Sequence, residues 1–159
     1  MRKLRIYLDT SFISYLFAED TPLKMDDTLQ LWGDIIDGKY EVFLSDITLE
    51  ELDKCDEPKH TRLYKKLAEI NSVLIIQNDE TKDLANKYLK QGILPRASKY
   101  DGLHIASAVI ADCDMVVSWN FKHLVNVRTN DGVRFINKLN NYKEIQIVSP
   151  SMLIKNPKL

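Results

Sequence analysis

Five short apolar runs, near residues 4–8, 41–44, 73–76, 115–118 and 144–148, recur along the chain with helix-period segments between them. The runs are rich in Val, Ile and Leu and keep little in-out alternation, which is how strands covered on both faces read. Strands of that kind alternating with helices define an α/β class with a mostly parallel sheet between two helical layers. The intervening helical periods fall near 11–17, 27–37, 47–54, 61–70, 81–91, 101–111 and 131–139. A chain of 159 residues, 45% hydrophobic and 28% charged, has material for one ordinary core. A single domain over 1–159 is therefore expected, with its core over about 4–148 and a short C-terminal extension.

Composition removes several function classes. A formal net charge of -1 provides no global attraction to nucleic acid, so a polyanion would have to be held locally or through a metal. Cys55 and Cys113 form no CxxC pair, and His60, His104 and His123 show no zinc spacing, which leaves neither a disulfide framework nor a zinc site. Met1-Arg2-Lys3 passes straight into the first strand without a signal-like or membrane-spanning segment, so a cytoplasmic protein with no membrane partner is expected. With five glycines, the chain has neither a GxGxxG nor a GxxxxGK[ST] phosphate loop. An aspartyl phosphatase would place a second Asp two positions after the first, where Ser11 stands.

In an open parallel sheet, ligands bind beyond the carboxyl ends of the strands. Asp9 follows the first strand directly, whereas Asp112 and Asp114 precede the fourth and belong at the opposite edge. Glu51 sits about one turn into the helix after the second strand, and Asn120 follows the fourth through Ser118 and Trp119. Asp101 opens an Ala-rich helix, where the dipole favours a carboxylate. Acids gathered at one edge repel unless a cation neutralises them, and Mg²⁺ or Mn²⁺ suits oxygen ligands. The chemistry so implied is metal-assisted hydrolysis of a phosphodiester.

The segments Tyr7-Leu8-Asp9-Thr10-Ser11, Ser45-Asp46-Ile47-Thr48-Leu49-Glu50-Glu51-Leu52, Asp101 through Ala108, and Val116-Val117-Ser118-Trp119-Asn120-Phe121-Lys122-His123-Leu124 together resemble the PIN-domain nucleases, more narrowly the VapC-like toxin ribonucleases of toxin-antitoxin systems. The resemblance covers nearly the whole chain. It implies a three-layer α/β/α sandwich with strand order 3-2-1-4-5, a Mg²⁺- or Mn²⁺-dependent endoribonuclease, and Asp9, Glu51 and Asp101 as the metal-site acids. RNA as substrate, a cognate antitoxin protein and a homodimer are the partners it implies. Asn120 departs from the pattern, because many members carry Asp there; an amide adds no charge, which favours one cation over two. Lys122 and His123 occupy the next turn, where relatives carry further acids.

Each residue also has a plainer role. Asp9 can end a strand or cap a helix, with Thr10 and Ser11 as accessory groups or caps. Glu51 can close a capping box on Thr48, Asp101 can serve the helix dipole alone, and Asn120 is equally a ligand-orienting group or a cap. His104 is expected to be a hydrogen-bonded, semi-buried side chain. Arg96, Lys99, Lys122 and His123 are candidates for RNA backbone contact, and Tyr100 and Trp119 for packing more than stacking. The basic residues Lys54, Lys59, Arg62, Lys65 and Lys66 read mainly as a solvated helix face. The rival to an enzyme is a catalytically weak or inactive PIN-like scaffold that binds RNA or a partner protein.

Overall fold

The computed structural model describes residues 2–159. Five parallel strands, β1 (Leu4–Leu8), β2 (Tyr40–Ser45), β3 (Ser72–Ile75), β4 (Met115–Val117) and β5 (Gln146–Val148), form one sheet in the order β3-β2-β1-β4-β5. The first strand is central, as the sequence resemblance implies. Its registers align Tyr7 with Phe43 on one side and with Val116 on the other.

Side chains alternate across the pleat, and the two faces build two cores. Tyr7, Phe43, Val116 and Ile147 face a layer made by α5 (Asp79–Lys90), α6 (Lys99–Ile110) and α7 (Val127–Leu139). Ile6, Leu8, Val42, Leu44, Val117 and Val148 face the opposite layer, with Phe12 of α1 (Thr10–Ser14), Leu31 and Trp32 of α2 (Pro22–Ile36) and Leu63 of α4 (Lys59–Leu67). Helix α3 (Asp46–Leu52) crosses between them, placing Ile47 in one core and Leu52 in the other. The result is a PIN-like α/β/α sandwich.

Two helices start four or more residues earlier than apolar periodicity predicts, because polar and proline signals set their ends. Helix α2 begins at Pro22, whose fixed φ suits a first turn. Asn126 caps α7 by accepting the amide of Thr129 at 2.7 Å, so the helix begins at Val127, four residues ahead of the predicted start near 131. Strands β4 and β5 are three residues each, shorter than predicted; beyond Val117 the backbone turns so that Ser118 Oγ accepts the amide of Asn120.

The outer edge of β5 is occupied by a side chain. Asn130 Oδ1 accepts the amide of Ile147 at 2.9 Å while its Nδ2 donates to the same residue's carbonyl at 3.1 Å, standing in for a neighbouring strand. The segment after β5 returns to α2. There the buried Asp27 carboxylate accepts Ser151 Oγ at 2.7 Å, the Lys158 amide at 2.7 Å and the Leu159 amide at 3.1 Å. Among the described residues, no helix is long and apolar enough to cross a membrane.

Candidate active site

The carboxyl ends of β1, β2 and β4 meet at one edge of the sheet, and Asp9 lies at their centre. Its amide continues the ladder by donating to Val117 O at 3.2 Å, so the residue is fixed where β1 ends beside β4. Asp9 is itself the N-cap of α1: Oδ1 accepts the Phe12 amide at 2.9 Å and the Ser11 hydroxyl at 2.7 Å. The capping role thus belongs to Asp9, with Ser11 supporting it. Ser11 Oγ also accepts the Trp119 amide at 2.9 Å and sits 3.2 Å from Ser118 Oγ, tying α1 to the end of β4.

Asp9 is only 3% exposed. Burial pushes its carboxyl above the ordinary range, and the nearby His104 imidazole, the hydroxyls of Ser118 and Ser11 and the Phe12 amide oppose that shift. Asp101, in the first turn of α6, is half-buried and is also pushed up, first by burial and further by the charge of Asp9. His104, Ser98 and His123 oppose the shift at Asp101. Two desolvated carboxylates within reach of each other's charge are therefore the electrostatic core of this edge.

Glu51 behaves differently. It stands at the end of α3, and its Oε1 accepts Thr10 Oγ1 at 2.7 Å and lies 2.5 Å from His104 Nε2. Burial alone would raise this carboxyl, but the His104 contact and the Thr10 hydroxyl outweigh it and hold the group below the usual carboxylate range. Thr48 lies within α3 rather than at its cap, so no capping box engages Glu51; Ser45 occupies the N-cap position. Behind His104, Nδ1 is 2.5 Å from the Tyr7 hydroxyl, which is 2.6 Å from Ser45 Oγ. Burial keeps the Tyr7 hydroxyl protonated, so its one proton is shared between Ser45 Oγ and the His104 ring.

Among the described residues, no three His, Cys, Asp or Glu side chains are gathered closely enough to hold a metal ion together. The donor set fits a cation held by two carboxylates, Asp9 and Asp101, with the remaining positions filled by water or phosphate oxygen. That is how Mg²⁺ is commonly bound. Asn120 Oδ1 accepts the His123 amide at 3.0 Å, which commits its oxygen to the turn after β4.

The four candidate RNA contacts fall in three settings. Lys122 and His123 line a depression of about 460 Å³ with Gly92, Ile93 and Arg128. Lys99 lines a separate hollow with Glu50, Gln77 and Tyr100, while Arg96 lies exposed in the 3-10 turn before α6. Trp119 is buried and donates its indole N–H to Thr28 at 2.8 Å, so it packs and does not stack on bases. Asp114 lies at the opposite edge, as the strand rule predicts. There it accepts the Arg5 amide at 2.8 Å, and that bond with those of Arg2 and Lys143 overrides burial to bring its carboxyl down to about 2.

Sequence reasoning missed Tyr7 and undervalued His104. The signals existed: Tyr7 is two residues before Asp9, on the same side of the strand, and His104 is three after Asp101, on the same face of the helix.

Sheet order, helical layers and an acid pair at the carboxyl edge define a protein of PIN-like fold. The same fold is found in VapBC2 from Rickettsia felis, in a crystal structure with a DNA fragment from their promoter, at 13% identity and a TM-score of 0.57, covering 92% of this chain and 98% of that one. It is found again in VapBC-1 from nontypeable Haemophilus influenzae, at 17% identity and a TM-score of 0.54, with 92% and 98% covered. At such identities the likeness is one of fold. No family model and no curated protein matches the chain.

Proposed function

We propose that this chain is a Mg²⁺- or Mn²⁺-dependent endoribonuclease that acts as the toxin of a toxin-antitoxin pair. The observation that carries the reading is the pair Asp9 and Asp101. Both carboxyls are desolvated, and Asp101 is raised further by its neighbour's charge, at the carboxyl edge where an open parallel sheet binds ligands. A fold tolerates such a pair readily when a divalent cation relieves it.

Asp9 and Asp101 would hold the cation, and Glu51 would meet it through water. When bound, the ion lowers the pKa of a coordinated water and neutralises charge on the phosphate. The remaining work falls to side chains. Ser11 and the Phe12 amide fix Asp9 Oδ1. Thr10 and His104 fix Glu51 through Oε1, so that Oε2 is free to accept a proton from the attacking water. The Asn120 NH₂ group donates to a phosphate oxygen, since its carbonyl is engaged by His123 N. A VapB-like antitoxin is the partner proposed from the VapBC neighbours, and binding of promoter DNA by such a complex is proposed from the Rickettsia felis structure.

The test is cleavage of RNA by the purified protein with Mg²⁺, Mn²⁺ or EDTA. Asp9→Asn and Asp101→Asn are each expected to lose on the order of 10²–10³-fold in rate, the scale of losing a transition-state stabilising group. Metal-independent cleavage, or full activity in both variants, overturns the mechanism. A scaffold reading draws support from one observation, the engagement of Glu51 by His104 in place of a third carboxylate at the centre. It would be favoured by retained RNA or partner binding with no cleavage of any RNA.

A further inference from the structure

Lys24, in the first turn of α2, points its ammonium into three aromatic rings, at 5.4 Å from the centroid of Tyr15, 5.7 Å from Trp119 and 5.5 Å from Phe121. These distances are within cation–π range. The rings support one another, Tyr15 against Trp119 at 5.8 Å and Trp119 edge-on to Phe121 at 6.0 Å. Among the described residues Lys24 Nζ has no carboxylate partner and no hydrogen-bond acceptor. The rings satisfy its charge in part and none of its three N–H donors.

This cluster is linked to Asp9 through Ser11. The backbone amide of Trp119 donates to Ser11 Oγ, which donates to Asp9. Tyr15 follows Ser11 by one helical turn and so continues the same face. Phe121 is 43% exposed and offers a ring to solvent.

We propose that Lys24, Tyr15 and Phe121, seated on Trp119, form a subsite for single-stranded RNA. Lys24 takes the phosphate of a nucleotide flanking the cleaved bond and Phe121 stacks on its base. The assignment of RNA as ligand rests on the ribonuclease reading.

Fluorescence anisotropy with a labelled twelve-nucleotide oligouridylate, in Ca²⁺ or EDTA, measures binding apart from cleavage. Lys24→Gln is expected to weaken binding about fivefold or more and to reduce the magnitude of the salt slope by about 0.7, one phosphate contact on a single strand. Lys24→Arg is expected to restore the slope. Phe121→Leu is expected to weaken binding roughly fivefold at unchanged salt slope, the low end for a base–aromatic stack. Thermal melts of each variant check the fold. Wild-type affinity and slope in both Lys24→Gln and Phe121→Leu overturn the subsite, as does an absence of wild-type RNA binding. Loss of poly-glutamate binding in Lys24→Gln with RNA binding unchanged also overturns it, in favour of an acidic protein partner. Binding without cleavage that still depends on Lys24 and Phe121 keeps the subsite and removes the nuclease; cleavage with Lys24-independent binding does the reverse.

Discussion

His104 Nε2 lies 2.5 Å from Glu51 Oε1, joining residues 53 apart in sequence and fixing α3 against α6 at the edge where β1 and β2 end. His104 is buried and Glu51 is half-buried, so the contact is shielded from water on one side only. The carboxylate predicted as a metal ligand is thereby ionised and oriented by the protein's own side chains.

Removing the imidazole leaves Glu51 and the Tyr7 hydroxyl each short of a partner and opens a cavity between them. His104→Ala should cost about 3 kcal/mol, the scale of breaking a buried pair from one side. His104→Gln, which returns an N–H to Glu51, should recover much of that. Urea denaturation midpoints at constant m-value measure both, and equal losses in the two variants would contradict the hydrogen-bonded role.

The acid pair makes a prediction about pH with a definite sign. Asp9 and Asp101 have folded-state pKa values raised above those of the unfolded chain, mainly by burial. The stability linked to them is fully present below the unfolded carboxyl range and is lost as pH rises through the raised folded values. Without metal, Asp9→Asn and Asp101→Asn should each melt higher than wild type near pH 7, and the difference should vanish under acid. Asp114 acts in the opposite sense: with its carboxyl brought down to about 2, its contribution is present above the unfolded value and is lost as pH falls towards 2. Mn²⁺ at 100 times its Kd should restore about 2.7 kcal/mol to wild type and little to either Asn variant. A melt followed from pH 4 to 8 with and without Mn²⁺ decides the matter.

The strands and the acid edge were legible because each depends on short-range pattern, whereas the sheet order came from the family resemblance. Leu4 to Leu8 reads as a covered strand, and an acid immediately after it must stand at the carboxyl edge. What the chain did not disclose are contacts between distant segments. Whether Glu51 turns to Thr48, to a cation or to His104 depends on how closely α3 approaches α6, which no local period encodes. Asn120 is a similar case: its amide could face a ligand or the following backbone, and the turn through Phe121 to Leu124 settles it on the His123 amide. The cage around Lys24 joins α1, α2 and the loop after β4, three segments whose meeting only the sheet order determines.

Asp27 ties the C-terminal segment to α2 through three donors, two of them backbone amides of Lys158 and Leu159. Hydrogen bonds to a charged acceptor contribute roughly 1.5–3 kcal/mol each, although mobile terminal residues recover much of that in water. Asp27→Ala should lower stability by about 2–3 kcal/mol and expose the segment after Ser149 to protease. Limited trypsin digestion, read by mass spectrometry at Lys155 and Lys158, should show cleavage in the variant well before wild type. Equal digestion rates would mean the tail is held by other contacts.

Two helical glycines separate backbone entropy from packing. A Cβ at Gly33, on the exposed side of α2, would meet nothing within 4 Å, so Gly33→Ala should gain about 1 kcal/mol from helix propensity alone. At Gly132 in α7 the same methyl would come within 2.7 Å of Ile93 Cγ1 and 3.0 Å of Cγ2. The overpacking cost of about 1–3 kcal/mol there exceeds the propensity gain. Gly132→Ala should therefore melt lower than wild type while Gly33→Ala melts higher, by about 2–4 °C for each kcal/mol in a chain of this size. Because Ile93 also lines the depression shared with Lys122 and His123, displacing it should disturb that surface as well. If Gly132→Ala instead stabilises the protein, the loop carrying Ile93 yields to α7, and the packing between them contributes little to the fold.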